Sequence, residues 1–266
     1  MQVVNPEVFT FFKALSKNNS RAWFEPQKPR FKALETEFKA FGETLKASMN
    51  QTDEIDRVKL FRIYRDVRFS KNKTPFKTHF GMSFNRKKPH LRGGYYIHIA
   101  PGESFLAAGF WNPNKEDLFR IRKEMEMDAD EFRALLKDPT FIKAWTGLEG
   151  EEVKTAPKGF SKTHDNIDLI KKKQYLFIKK LEDKAILVPD FQAEVIHHFN
   201  AIRPIFNYFS NVLTTDLNGV SIQKNSIYEN LLYPIRGKLK PCLFNFGLCG
   251  SPIEQLRQTP HYRGLY

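Results

Sequence analysis

Tyr95-Tyr96-Ile97-His98-Ile99-Ala100-Pro101-Gly102-Glu103-Ser104-Phe105-Leu106-Ala107-Ala108-Gly109-Phe110-Trp111 is the stretch that decides the fold class of this chain. Two runs rich in β-branched and aromatic residues flank four turn formers. The spacing predicts strands over 95–100 and 105–111, with Pro101-Gly102-Glu103-Ser104 as the hairpin turn. A connection this short favours antiparallel pairing. Alternation along the first strand puts Tyr96 and His98 on one face and Tyr95, Ile97 and Ile99 on the other.

The same period of two continues outward. Phe80, Met82 and Phe84 alternate, and so do Phe61 and Ile63 with Arg62 and Tyr64, which predicts a strand on each segment. Residues 175–181 read as a last strand. On the N-terminal side the period is helical. Val8, Phe11, Phe12 and Leu15 mark a short helix over 6–15, and Ser20 is placed to cap a turn carrying Trp23 and Phe24. Pro26 and Pro29 are expected to break the chain. Phe31, Leu34, Phe38, Phe41, Leu45 and Met49 then form one apolar stripe on a helix over 30–49.

Beyond Pro113, helices are predicted around Leu118, Ile121, Arg122 and Met125, around Phe132, Leu135 and Leu136, and over 141–145. Asp165 or Asn166 can cap a helix through 173. Residues 191–213 read as a long helix that Pro204 either kinks or divides in two. Residues 220–266 lack a sustained period and are punctuated by Pro234, Gly237, Pro241, Gly247, Gly250 and Pro252. The expected fold is α+β, a mostly antiparallel sheet with helices packed against it. One domain spans 1–219, and an irregular extension spans 220–266.

Composition limits the functional classes. Apolar residues make up 41% of the chain, and 25 of its residues are Phe, which argues for a packed core rather than disorder. Cys242 and Cys249 are too few for a disulfide scaffold and lack the neighbours of a zinc site, so ordinary reduced thiols are expected. No apolar run approaches the roughly 20 residues of a membrane span. Residues 1–12 carry Glu7 and no basic segment, unlike a secretory signal. These features together predict a cytoplasmic protein with no membrane partner.

Charge is concentrated in one place. Residues 57–92 hold 12 Lys or Arg against the single acid Asp66, a surplus of 11 out of a chain total of +13. At the centre lies Arg62-Ile63-Tyr64-Arg65-Asp66-Val67-Arg68-Phe69-Ser70-Lys71-Asn72-Lys73-Thr74-Pro75-Phe76-Lys77. Arg forks bind phosphate or carboxylate bidentately, and several held together repel unless an anion sits among them. Arg62, Arg65, Arg68, Ser70, Lys73 and Lys77 are therefore the candidate anion-binding residues. Pairing of the arginines with Glu35, Glu37 or Glu103 is the structural alternative. The run Arg86-Lys87-Lys88 reads as a solvated loop.

Candidates for proton transfer are His79, His98 and Asp66. Cations around His79 would disfavour its protonation and leave a neutral ring able to accept a proton. Asp66 would orient an arginine. His164 reads as a loop residue, and His197 and His198 point apart on their helix. The sequence has no HExxH, Walker, GxSxG or CxxC pattern. It indicates no metal and no cofactor.

Four pieces of the chain carry a family resemblance: Asn18-Asn19-Ser20-Arg21-Ala22-Trp23-Phe24; residues 62–70 with Lys73, Pro75, Phe76 and Lys77; Gly94-Tyr95-Tyr96-Ile97-His98-Ile99 with Gly109-Phe110-Trp111; and Pro157-Lys158-Gly159-Phe160 with His164 and Leu169. Over about 6–217 the chain resembles the domain-of-unknown-function family 2461. The resemblance implies no activity. The residues themselves lead to an anionic, phosphate-bearing small molecule as the expected partner and leave open an enzymatic role. Nucleic-acid binding or a structural, partner-binding role is the alternative.

Overall fold

Five antiparallel strands run side by side in chain order, each joined to the next by a ladder of hydrogen bonds. They are β1 (Ile55–Leu60), β2 (Phe80–Arg86), β3 (Gly94–Ile99), β4 (Phe105–Phe110) and β5 (Tyr175–Lys180). The computed structural model describes residues 3–216 and 218–222. The helices are α1 (Glu7–Lys17), α2 (Arg21–Met49), α3 (Lys115–Met127), α4 (Asp130–Lys137), α5 (Pro139–Ala144), α6 (Ile167–Ile170), α7 (Asp183–Ile186) and α8 (Phe191–Thr214). The α+β architecture is the one the sequence predicts. The extension over 220–266 lies, past residue 222, outside the described residues, as do Cys242 and Cys249.

The β3–β4 hairpin forms where its sequence places it. Gly102 takes φ +71°, a left-handed conformation open to glycine at no steric cost. Buried Ser104 closes the turn through its hydroxyl, which accepts from the Ala100 N–H (3.0 Å) and donates to the Ala100 carbonyl (2.7 Å).

The first strand lies earlier than expected, at Ile55–Leu60 rather than 61–64. Phe61 still donates its N–H to Gly81 (2.9 Å) at the end of the ladder. The chain then leaves the sheet as a narrow excursion. Its two arms are joined by a Tyr64–Phe76 bridge and by bonds from Arg65 N to Pro75 O (2.9 Å) and from Lys77 N to Ile63 O (2.7 Å). The alternation at 61–64 is therefore real backbone extension, paired with 75–77 instead of with the sheet.

Pro26 and Pro29 do not break the chain. One helix, α2, runs through both, capped by the Ser20 hydroxyl on Trp23 N. Both prolines are exposed, so water can satisfy the carbonyls they leave without a donor. Phe24, Phe31, Leu34, Phe38, Phe41, Leu45 and Met49 meanwhile bury one continuous stripe. Each buried ring is worth about 3 kcal/mol or more against truncation, as much as a proline costs. Pro204 is likewise exposed inside α8, which is a single helix.

Every helix contributes to one large apolar cluster on one face of the sheet. At its centre Phe80 of β2 meets Phe12 (4.9 Å between centroids), Phe31 (5.8 Å) and Phe38 (4.9 Å). Arg86 belongs to this side too. It is 3% exposed, not a solvated loop residue, because its partner Asp53 is buried beside it at 2.9 Å. The opposite face carries a smaller cluster of Tyr96, Ala107, Leu176 and Ile178, with Phe61, Phe105 and Trp111 packed on it.

Candidate functional site

Strand register sets the composition of that second face. One row crosses all five strands as Lys59, Ser83, Tyr96, Ala107 and Ile178. The next row, toward the β3–β4 turn, is Gly81, His98, Phe105 and Lys180. Small residues in the middle strands leave room there for large rings. A Cβ on Gly81 would stand 2.1 Å from the Tyr96 hydroxyl, so the phenol lies directly over that glycine. Tyr96 Oη thereby comes within 3.4 Å of His98 Nδ1.

His79, one residue before β2, meets His98 with 4.1 Å between ring centroids. Phe105 stacks on His98 at 4.6 Å and 15°. His79 and His98 are both buried, at 7% and 2% exposure. Imidazole carries a donor and an acceptor nitrogen, and phenol carries both functions on one oxygen. The group Tyr96–His98–His79 is therefore equipped to move protons.

Two ammonium groups flank the same site. Lys77 Nζ lies 5.8 Å and Lys59 Nζ 5.0 Å from the centroid of the Phe61 ring, and Phe61 packs on Tyr96 at 6.0 Å. Holding two cations on one aromatic ring partly offsets their desolvation by attraction to the ring face. Lys77 is itself 9% exposed. Of the residues singled out from the sequence, Lys77, His79 and His98 thus come together on one sheet face.

The others stand on the excursion between β1 and β2. Arg68 clasps Asp66 through Nε (3.0 Å) and Nη2 (2.6 Å), and this contact holds the Asp66 carboxyl down at about 2. Asp66 is thus ionised and engaged by Arg68. Arg65 donates to the Thr74 hydroxyl and to the Thr74 carbonyl (3.2 Å). Lys73 Nζ donates to the carbonyls of Val67 (2.9 Å) and Arg68 (3.4 Å). Ser70 is half-buried, its N–H on Val67 O, and Arg62 is exposed. Two of the three carboxylates weighed as alternative partners are engaged elsewhere: Glu35 with Lys32 and Lys39, and Glu37 with Asn5.

Sequence reasoning missed Lys59, Phe61, Gly81 and Phe105. The alternation of β2 carried a usable signal, because two of its non-core positions, Gly81 and Ser83, are small. His164 is confirmed as a loop residue, its Nδ1 accepting from Asn166 N (3.0 Å). Among the described residues, no group of three or more His, Cys, Asp or Glu is placed to hold a metal ion. Among the same residues no helix is long and apolar enough to cross a membrane.

Comparison with known proteins gives a family match. The family described as Conserved hypothetical protein (DUF2461) matches residues 7–208. No curated protein and no solved structure matches.

Proposed function

The chain belongs to the DUF2461 family of conserved hypothetical proteins, and for it we propose a site that binds a phosphate-bearing small molecule and transfers a proton to or from it. Lys77 and Lys59 supply the anion contact beside Phe61. His79 and His98 supply the acid and base, and Tyr96 orients His98. The observation that carries the reading is the meeting of His79 and His98 at 4.1 Å on the face that also holds Tyr96 and Lys77. Proton transfer needs groups within hydrogen-bond reach of one reacting atom, and the adjacency of the two rings on one sheet face supports this reading. Strands also hold such groups more rigidly than loops do.

Thermal unfolding of the full chain with inorganic phosphate and with pyrophosphate, at low ionic strength, tests the anion half. A ligand at about 100 times its Kd stabilises by roughly 2.7 kcal/mol, which at this chain length raises Tm by about 5–10 °C. The expected result is such a rise in the wild type and in His98→Gln, and its loss in Lys77→Ala. No rise with either anion, or a rise unchanged in Lys77→Ala, overturns the reading.

A further inference from the structure

The excursion between β1 and β2 presents a second feature that the sheet-face site does not use. Phe69 at its tip is 96% exposed, and Tyr64 at its root is 46% exposed. Exposed single aromatics are common, but this pair stands among cations. Arg62, Lys71 and Lys73 are exposed, and Arg68 lies 5.9 Å from the Phe69 ring. Asp66 is clasped by Arg68 and also acts at longer range on Arg62, one carboxylate among several cations.

The excursion is also braced from within. Asn72 Oδ1 accepts from Thr74 N (2.9 Å) and Thr74 Oγ1 (2.8 Å), and Lys73 ties back to Val67. Tyr64 rests on Phe76 (5.4 Å) and Phe24 (6.4 Å), so one ring edge is fixed and the rest is open. Phe76 is stacked on Phe24 at 4.2 Å and held at both backbone groups by Asn19. The rings are therefore mounted on a fixed base, and ordering them on a ligand costs little.

We infer that this excursion is a docking surface for single-stranded nucleic acid, with unpaired bases stacking on Phe69 and Tyr64 and phosphates meeting Arg62, Lys71 and Lys73. Aromatic platforms interleaved with cations are what an unpaired strand requires, since every base has a stacking face and every nucleotide a phosphate. A membrane is the poorer fit. A single exposed Phe offers too little apolar area, and Tyr64 lies at the root, away from the tip that would enter the lipid.

Fluorescence anisotropy with labelled single strands of about 12 nucleotides, RNA and DNA, tests this on the full chain. Binding is expected at about 50 mM salt and should weaken with a log–log slope of roughly −2, from three phosphate contacts at about 0.7 each. Phe69→Ala should weaken it about tenfold while leaving Tm unchanged, because the ring packs on almost nothing. Arg62→Ala with Lys71→Ala should flatten the slope by about 1.4. Four results would each overturn the inference: no binding at low salt, equal affinity in Phe69→Ala, equal affinity for a duplex, or capture by phosphatidylserine vesicles with the oligonucleotides ignored. The variants differ from Lys77→Ala, so failure here and failure of the sheet-face reading are separately visible.

Discussion

Removing the carboxylate of Asp53 should unfold this protein more readily than removing almost any other single group of similar size. Asp53 accepts from Arg86 Nε (2.9 Å) and from the Tyr95 hydroxyl (2.6 Å), with the Arg86 and Asp53 side chains 2% and 4% exposed. Burial and the Asp53 charge together push the Tyr95 phenol well above its ordinary value, so it remains a donor. In Asp53→Ala the Arg86 guanidinium stays buried over Phe206 without its anion. Breaking a buried pair on one side costs about 3–5 kcal/mol. Arg86 keeps bonds to Arg92 O (3.1 Å), Asn207 Oδ1 (2.9 Å) and Ser210 Oγ (3.4 Å), which places its share near the low end, about 3 kcal/mol. The orphaned Tyr95 hydroxyl adds about 1 kcal/mol. The sum of about 4 kcal/mol corresponds to a Tm lower by roughly 10 °C. Urea unfolding followed by circular dichroism measures it. The double change Asp53→Leu with Arg86→Met removes both charges and should recover more than half of the loss. A cost under about 1 kcal/mol for Asp53→Ala, or a double variant weaker than the single one, would refute the reasoning.

Alkali should destabilise the fold through its buried tyrosines. Burial raises Tyr95, Tyr175 and Tyr208 alike, so the folded state keeps protons that the unfolded chain releases above about pH 10. The contribution of the three tyrosines is constant below that pH and falls by about 4 kcal/mol per pH unit above it, three groups at about 1.4 each; a urea midpoint unchanged from pH 8 to 11 would contradict this. Two glycine substitutions should differ sharply. Gly109→Ala puts a Cβ 2.2 Å from the Tyr175 carbonyl at φ +144°, where backbone must move, and should cost more than about 3 kcal/mol. Gly42→Ala meets the Met82 sulfur at 2.2 Å, the flexible end of a side chain, and should cost about 1 kcal/mol; equal losses would show that the neighbour's flexibility is not what decides.

What the sequence revealed was what local chemistry determines. The turn Pro101–Ser104 needs only its own residues, so the hairpin was legible, and with it the sharing of one face by Tyr96 and His98. Pro26 and Pro29 misled because their local cost is outweighed by a stripe that ends on Met49, more than five turns away. Arg86 misled because its partners lie far along the chain, at Asp53 and Asn207. The contact between His79 and His98 depends on the register that sets Gly81 opposite His98. A one-residue slip would have sent the strand's side chains to the opposite faces, and no property of either histidine specifies that register.

The 62–77 run separates into parts with different physical justifications. Ile63 and Phe76 are 4% and 2% exposed, and Asn19 and Phe24 lock Phe76 in place, so these residues are explained by packing alone. That contact also joins two sequence pieces, 18–24 and 62–77, into one structural unit. Arg65, Asn72, Thr74 and Lys73 are explained by the bonds that shape the excursion. Phe69 is explained by neither. It is 96% exposed, has Arg68 at cation–π distance, and sits in a tip whose backbone is held by other groups. An apolar ring kept in water contributes nothing to folding, whereas the burial of a large side chain is worth about 1.5–3 kcal/mol once a partner covers it. The folded state therefore gives no reason for an aromatic at this position, and a bound one does. A polar replacement there should leave unfolding untouched while binding weakens about tenfold, a separation that a purely structural role for the excursion does not allow.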